Sequence, residues 1–145
     1  MDKSMGKFSV AVVAFLTSLV STSMAKDFNY ISTFSTSDNI EISGVETAAE
    51  IVAASEDGQM LIYSDSPMFA VGMIDISDSS EPKPLGFIQV GGEPTSVSVK
   101  NGLAYVGINT SESYVNPSGK LIVIDLETKR VIRETDPVSY THLRA

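Results

Sequence analysis

Between Lys26 and Asp136 the chain consists of short apolar runs separated by turn-forming residues, a pattern typical of all-β proteins. Some runs alternate apolar and polar positions, as Ser96–Val99 does, which indicates strands with one buried face. Others, such as Met73–Ile76 and Leu121–Ile124, are nearly continuously apolar and predict strands buried on both faces. The predicted strands are Phe28–Phe34, Glu50–Ala54, Met60–Ser64, Ala70–Ile76, Leu85–Val90, Thr95–Lys100, Leu103–Asn109, Lys120–Leu126 and Arg130–Glu134.

The segments between these runs have the composition of turns and loops. Asp57-Gly58 and Asn101-Gly102 provide the left-handed positions that tight hairpins need. Ser77–Pro84 contains two prolines, which excludes a central strand and predicts a loop. The one helix-like fragment, Val45–Glu50, is too short to be stable by itself.

The strands repeat in units of four. The first strands of the two units begin at residues 50 and 95, which are 45 residues apart. Four strands in about 40–45 residues is typical of a β-propeller blade. The sequence therefore predicts an all-β fold with two four-stranded blades, residues 50–94 and 95–136, after a leading strand and linker over residues 26–49. A β-sandwich of short strands is the alternative.

Two blades are too few to close a propeller. A ring of blades loses its free edges only when it is complete. We therefore expect exposed edges and an incomplete core, and we expect the leading strand Phe28–Phe34 to join the last blade of a longer protein.

The N-terminus has the form of a secretory signal. Lys3 and Lys7 precede the apolar run Phe8–Val20, and Ser23 and Ala25 are small residues at the positions of a cleavage site. The apolar run is shorter than the roughly 20 residues that cross a bilayer. Residues 1–25 thus predict an exported, periplasmic or extracellular protein with no membrane span after cleavage, and a retained anchor is the alternative.

The C-terminal residues have the form of a non-native tail. Residues 137–145 match, residue for residue, one translated frame of an adapter used in DNA library preparation. On this interpretation the native sequence ends near Asp136, and the chain is the N-terminal fragment of a longer protein. The only histidine, His142, is then not native, and the chain has no cysteine. Triads of the Ser-His-Asp or Cys-His type are therefore excluded from this fragment.

Composition narrows the function further. The 145 residues include 18 acidic and 10 basic side chains and give a net charge of −8. This charge argues against nucleic-acid binding, which needs lysine and arginine against phosphates, and it suits a cation or a basic partner. The absence of cysteine excludes disulfide scaffolds and zinc–thiolate sites.

Candidate site residues follow from the alternating direction of the strands. In each unit the loop after the second strand and the segment that leads into the first strand lie at the same end of the sheet. Carboxylates at this end, which also carries the longest insertion, could bind Ca²⁺, and a bound Ca²⁺ could orient a phosphate ester for attack by water. The candidate ligands are Glu46, Asp65, Glu93 and Glu112, with Glu50 at the margin. The alternative is that these loops are polar because they are solvated.

Two aspartates recur at equivalent positions near the end of the third strand in each unit, Asp75 and Asp125. A carboxylate at a strand end can accept hydrogen bonds from the backbone of the turn that follows. We therefore predict that these aspartates cap turns.

Three stretches carry a family resemblance: ETAAEIVAAS at residues 46–55, IDISDSSEPKPLG at residues 74–86 and GGEPTSV at residues 91–97. They resemble exported bacterial β-propellers of the phytase-like type, often labelled "esterase-like activity of phytase" or alkaline-phosphatase-like. The resemblance covers most of residues 46–134. It implies a propeller and histidine-free, Ca²⁺-dependent chemistry on phosphate esters, although the dense aspartate cluster of such active sites is missing here.

Two functions remain open from the sequence. The first is Ca²⁺-assisted hydrolysis of a small phosphorylated or other ester substrate by the longer protein. The second is a non-catalytic propeller that binds a ligand or a protein partner on the same loop face.

Overall fold

A computed structural model describes residues 29–40 and 44–136. The predicted signal peptide, residues 1–25, and the adapter-like residues 137–145 lie outside the described residues. Both stay predictions.

The described residues form two four-stranded antiparallel sheets, and within each sheet the strands pair in the order in which they follow along the chain. The first sheet contains β1 to β4 and the second contains β5 to β8. The strands are β1 Val52–Ala54, β2 Met60–Asp65, β3 Ala70–Asp75, β4 Lys83–Gln89, β5 Glu93–Lys100, β6 Leu103–Asn109, β7 Gly119–Asp125 and β8 Arg130–Thr135. The predicted all-β fold with two four-stranded blade-like units is confirmed.

The predicted turn chemistry is confirmed at both hairpins and both capped turns. Gly58 in the β1–β2 turn has a φ of 70°, and Asn101 and Gly102 in the β5–β6 turn have φ values of 53° and 71°. The carboxylate of Asp75 accepts a hydrogen bond from the Ser77 N–H at 2.9 Å, and that of Asp125 accepts one from the Thr128 N–H at 2.7 Å. These partners are at most three residues away in the chain, so local sequence is enough to specify them.

The hydrophobic core lies between the two sheets. Successive side chains of a strand point to opposite faces, so each central strand contributes every second residue to this layer. From the first sheet come Ile62, Val71 and Met73, and from the second come Ala104, Val106, Ile108, Ile122 and Ile124.

The two sheets stack head to tail. Met60 pairs with Asp75 in the first sheet, and Leu103 pairs with Asp125 at the equivalent place in the second. Counting along the strands from these pairs, Ile62 corresponds to Tyr105 and Met73 corresponds to Val123. Ile62 and Met73 lie in the core, whereas Tyr105 and Val123 are on the face of the second sheet that points away from the first. Corresponding faces of the two sheets therefore point the same way, as they do in consecutive blades.

Residues 29–34 of the predicted leading strand Phe28–Phe34 pair with no described strand, and Phe28 lies outside the described residues. Pairing of this segment with the last blade of a longer protein stays a prediction. Tyr30 and Ile31 are 81% and 62% exposed. No described strand forms backbone hydrogen bonds of a sheet with them. A 3₁₀ helix, Thr36–Asn39, follows and packs against β3 and β4. No described helix is long and apolar enough to cross a membrane.

Asn39 fixes this segment to the first sheet. Its side-chain amide donates to the Tyr63 hydroxyl at 2.9 Å and to the Met73 carbonyl at 3.0 Å. Its carbonyl oxygen accepts the Gly86 N–H at 3.0 Å. The Tyr63 ring in turn covers Gly72, where an added Cβ would lie 2.0 Å from the ring carbon Cζ.

The boundaries of β4 and β5 also differ from the prediction. The predicted loop Ser77–Pro84 ends earlier, because Lys83 and Pro84 belong to β4. Proline is tolerated there because β4 is at the edge of its sheet, where a missing N–H on the outer side removes no hydrogen bond between strands. Pro94 is accommodated in the edge strand β5 for the same reason.

Candidate functional site

The most buried of the predicted calcium ligands, Asp65, is held by the chain itself. It is 3% exposed at the end of β2. Its carboxylate accepts hydrogen bonds from the Thr47 hydroxyl, the Ala48 N–H at 3.3 Å and the Met68 N–H at 3.2 Å. Asp65 therefore ties the segment before β1 to the β2–β3 loop, and these bonds occupy the oxygens that a cation would need.

The other predicted ligands lie at the same end of the sheets and are more accessible. Glu93 begins β5 and accepts a hydrogen bond from the Asn109 amide at 3.0 Å. Glu46 and Glu112 are exposed on the segment before β1 and on the β6–β7 loop. Glu50 accepts a hydrogen bond from the Ser66 hydroxyl on the β2–β3 loop.

The structure thus places these acids at one end without gathering them. Within residues 29–40 and 44–136, no three Asp, Glu or His side chains are close enough to hold one metal ion. A calcium site usually needs six to eight oxygen ligands. Calcium binding by Glu46, Asp65, Glu93 and Glu112 stays a prediction.

A groove of about 670 Å³ opens between the two sheets at the opposite end. The β1–β2 and β5–β6 turns and the β3–β4 and β7–β8 turns surround it. Its apolar lining residues are Met60, Leu85, Leu103 and Leu126. Its charged lining residues are Glu56, Asp57, Asp75, Asp125, Glu127 and Lys129. We call it the inter-sheet groove.

Glu56 joins the two sheets at the mouth of the inter-sheet groove. Its carboxylate pairs with the Lys100 ammonium at 2.6 Å and accepts the Asn101 N–H at 2.6 Å. The hydrogen bond from Lys100, followed by that from Asn101, lowers the pKa of Glu56 below its ordinary value. The charged pair is well exposed, so its main effect is to orient the turns rather than to stabilise the fold.

The other groove carboxylates with a shifted pKa are also held in the ionised form. Hydrogen bonds from Ser77 lower the pKa of Asp75, and backbone and hydroxyl hydrogen bonds from Thr128 lower that of Asp125. The Ser55 hydroxyl lowers the pKa of Asp57. The rim of the groove is therefore negative at neutral pH, and Lys129 is its one basic residue among the lining side chains.

The predicted site lies at the opposite end, where strand direction places Glu46, Asp65, Glu93 and Glu112 together with the longest insertion, the β6–β7 loop. The inter-sheet groove is formed by two turns from each sheet, so its shape depends on how the sheets stack. One signal was present in the sequence: Asp75 and Asp125 recur at equivalent positions. Their role as turn caps was predicted, but their shared position beside one groove was not.

Comparison with protein-family models gives no match for this chain, and comparison with curated proteins gives none either. The resemblance to phytase-like propellers therefore rests on the three stretches of sequence alone. It stays a prediction, as does export from the cell.

Proposed function

We propose that this chain is a non-catalytic binding module whose ligand occupies the inter-sheet groove. The observation that carries the proposal is the combination of an apolar floor and a negative rim in one cavity of about 670 Å³. The volume of the groove lies within the range of about 300–1,000 Å³ that is common for ligand sites. The matching ligand has an apolar body and a positive charge, as in a peptide that carries arginine beside leucine.

The charge of the groove supports a cationic ligand. Five carboxylates and one ammonium group line it, and three of these carboxylates belong to Asp57, Asp75 and Asp125, whose pKa values are lowered. The net charge of the whole chain, −8, has the same sign and favours the approach of a cation.

The same carboxylates are poorly suited to proton transfer. A general acid or base works best when its pKa is close to the working pH. Hydrogen bonds in the turns move these pKa values in the opposite direction, below the ordinary carboxylate value. The groove therefore favours binding over catalysis.

We keep Ca²⁺-assisted hydrolysis of phosphate or other esters as a second proposal. One observation favours it: Asp65, Glu50 and the Glu93–Asn109 pair lie at the same end of the two sheets, around the β2–β3 loop. A cation there would compete with the hydrogen bonds that now hold Asp65.

Binding of a fluorescein-labelled Arg-Leu-Arg-Leu peptide, followed by fluorescence anisotropy, tests the first proposal. Glu127→Gln removes one rim charge, and we expect a threefold to fivefold higher Kd, which corresponds to about 0.7–1 kcal/mol for an exposed charge. Glu112→Gln, at the opposite end of the sheets, is the matched control and should leave the Kd unchanged.

Two results would contradict the groove proposal: no binding of the peptide, or equal effects of the two substitutions. The second proposal has its own readout in the same samples. A rise of Tm with CaCl₂ that Asp65→Asn abolishes, together with turnover of p-nitrophenyl phosphate, would favour the hydrolase.

A further inference from the structure

One face of the second sheet carries apolar side chains, and within residues 29–40 and 44–136 no other sheet packs against it. Its central part forms a shallow cleft of about 240 Å³ that is lined by Leu103, Tyr105, Val123, Ile132 and Arg133. Ile132 is 55% exposed, and Leu121, which points to the same side, is 42% exposed. We call this surface the open face.

The open face repeats the face by which the first sheet contacts the second. The strand registers relate Met60 to Leu103, Ile62 to Tyr105 and Met73 to Val123. Position by position, both faces carry large apolar side chains at the centre of the sheet.

The match extends to the charged edge of the sheet. Asp75 is opposite Lys83 in the first sheet, and Asp125 is opposite Arg130 in the second. The first sheet packs Ile62 and Met73 of this pattern against its neighbour, whereas no described sheet packs against Tyr105 and Val123 of the second. The open face therefore resembles the face by which the first sheet contacts the second.

We propose that the open face is the docking surface for a further four-stranded β-sheet. The occupant presents a face of small and β-branched residues like the one that the second sheet offers to the first. That receiving face carries Val97, Val99, Ala104, Val106, Ile122 and Ile124. Head-to-tail interfaces of this kind continue from one unit to the next until they close.

A second copy of this chain is a poorer occupant. To repeat the interface it would have to offer the corresponding face of its first sheet, which carries Tyr63 and Ile74. That face is already occupied, because Asn39 bonds to the Tyr63 hydroxyl and packs its segment against β3 and β4. A second copy would first have to displace residues 36–39.

The test uses a chain that is extended by one sheet of known packing. A second copy of residues 90–136 follows directly after Thr135, so that the linker and all four strands of the second sheet are repeated. We expect the extended chain to unfold at a higher urea concentration than the original. We also expect backbone amides of β6 and β7 in the middle sheet to exchange at least tenfold more slowly.

Ile132→Asp, in the first copy of the repeated sheet, identifies the face. In the original chain Ile132 is exposed, so the unfolding equilibrium constant should change by no more than about threefold. In the extended chain the same substitution should abolish the gain in stability. Val131→Asp is the matched control: Val131 is the adjacent residue of β8, is 40% exposed and lies opposite Ile124 on the other face. It should affect both chains equally.

Three outcomes would overturn the proposal. The first is an extended chain that gains no stability or does not fold. The receiving face of the added sheet already packs against a sheet in the original chain, so such a failure would mean that the open face does not accept it. The second is an equal effect of Ile132→Asp in the two chains. The third is a dimer of the original chain in sedimentation that Ile132→Asp dissociates, which would assign the open face to a second copy.

Discussion

Asn39 shows how much one buried polar residue contributes to this fold. It is 7% exposed and makes three hydrogen bonds, to Tyr63, Met73 and Gly86. Residues 36–39 are therefore anchored by the amide of Asn39 rather than by strand pairing.

Asn39→Ala should lower the free energy of unfolding by about 2–4 kcal/mol, because it leaves the buried Met73 carbonyl and the half-buried Gly86 N–H without their partner. Tyr63→Phe removes only one of the three bonds and should cost about 0.5–1.5 kcal/mol. Urea unfolding followed by circular dichroism measures both. If the two substitutions cost the same, the amide does not anchor the segment.

The range of these contacts explains which residues could be predicted. The hydrogen bonds of Asn39 reach residues 24, 34 and 47 positions away, and nothing in its neighbourhood in the sequence indicates them. Asn101 and Gly102 form a turn by themselves, and Asp125 caps a residue three positions ahead. Local chemistry was therefore predicted correctly, whereas the residue that holds residues 36–39 was not found.

Among the elements, the two capped turns give the fold a dependence on acid pH. Hydrogen bonds lower the pKa values of Asp75 and Asp125 below the ordinary value of 3.8. A carboxylate whose pKa is lower in the folded state contributes stability above its unfolded pKa and loses it as the pH falls through its folded pKa. Stability should therefore be nearly constant from pH 7 to about pH 5 and should fall below about pH 4.

Asp125→Asn should reduce stability at pH 7 and make the loss of stability in acid less steep, because one of the titrating caps is gone. Urea midpoints measured at half-unit steps between pH 3 and pH 7 give both quantities. Glu112→Gln is the control, since Glu112 is exposed on the β6–β7 loop, at the end of the sheet away from both capped turns. A variant with an unchanged acid slope would show that Asp125 does not contribute to it.

Elements were predicted well where the apolar pattern and the pairing agree. The central strands β2, β3, β6 and β7 lie within a residue or two of their predicted bounds. The edges were less predictable: β4 accepts Pro84 because no neighbouring strand needs its N–H, and residues 29–34 stay unpaired despite their apolar residues. The inter-sheet groove belongs to this second group, since it is formed by four turns that only sheet stacking brings together.

At the scale of the whole molecule, the two sheets share one core. Every fully buried aliphatic side chain of β6 and β7 that faces the first sheet contacts the same cluster as Ile62 and Met73. Each sheet covers only one face of the other. We therefore expect the sheets to unfold together, in one transition, rather than as two independent units.

Ile124→Ala tests this cooperativity. Ile124 is fully buried between the sheets, so its truncation should cost about 2–4 kcal/mol and leave the dependence of stability on urea unchanged. Hydrogen exchange should then accelerate in β2 and β3 as much as in β6 and β7, although the substitution is in the second sheet. Leu121→Ala, in the same strand but on the open face and 42% exposed, is the control and should cost less than about 1 kcal/mol. Faster exchange confined to the second sheet would mean that each sheet is stable on its own, and the shared core would then not be what holds this fold together.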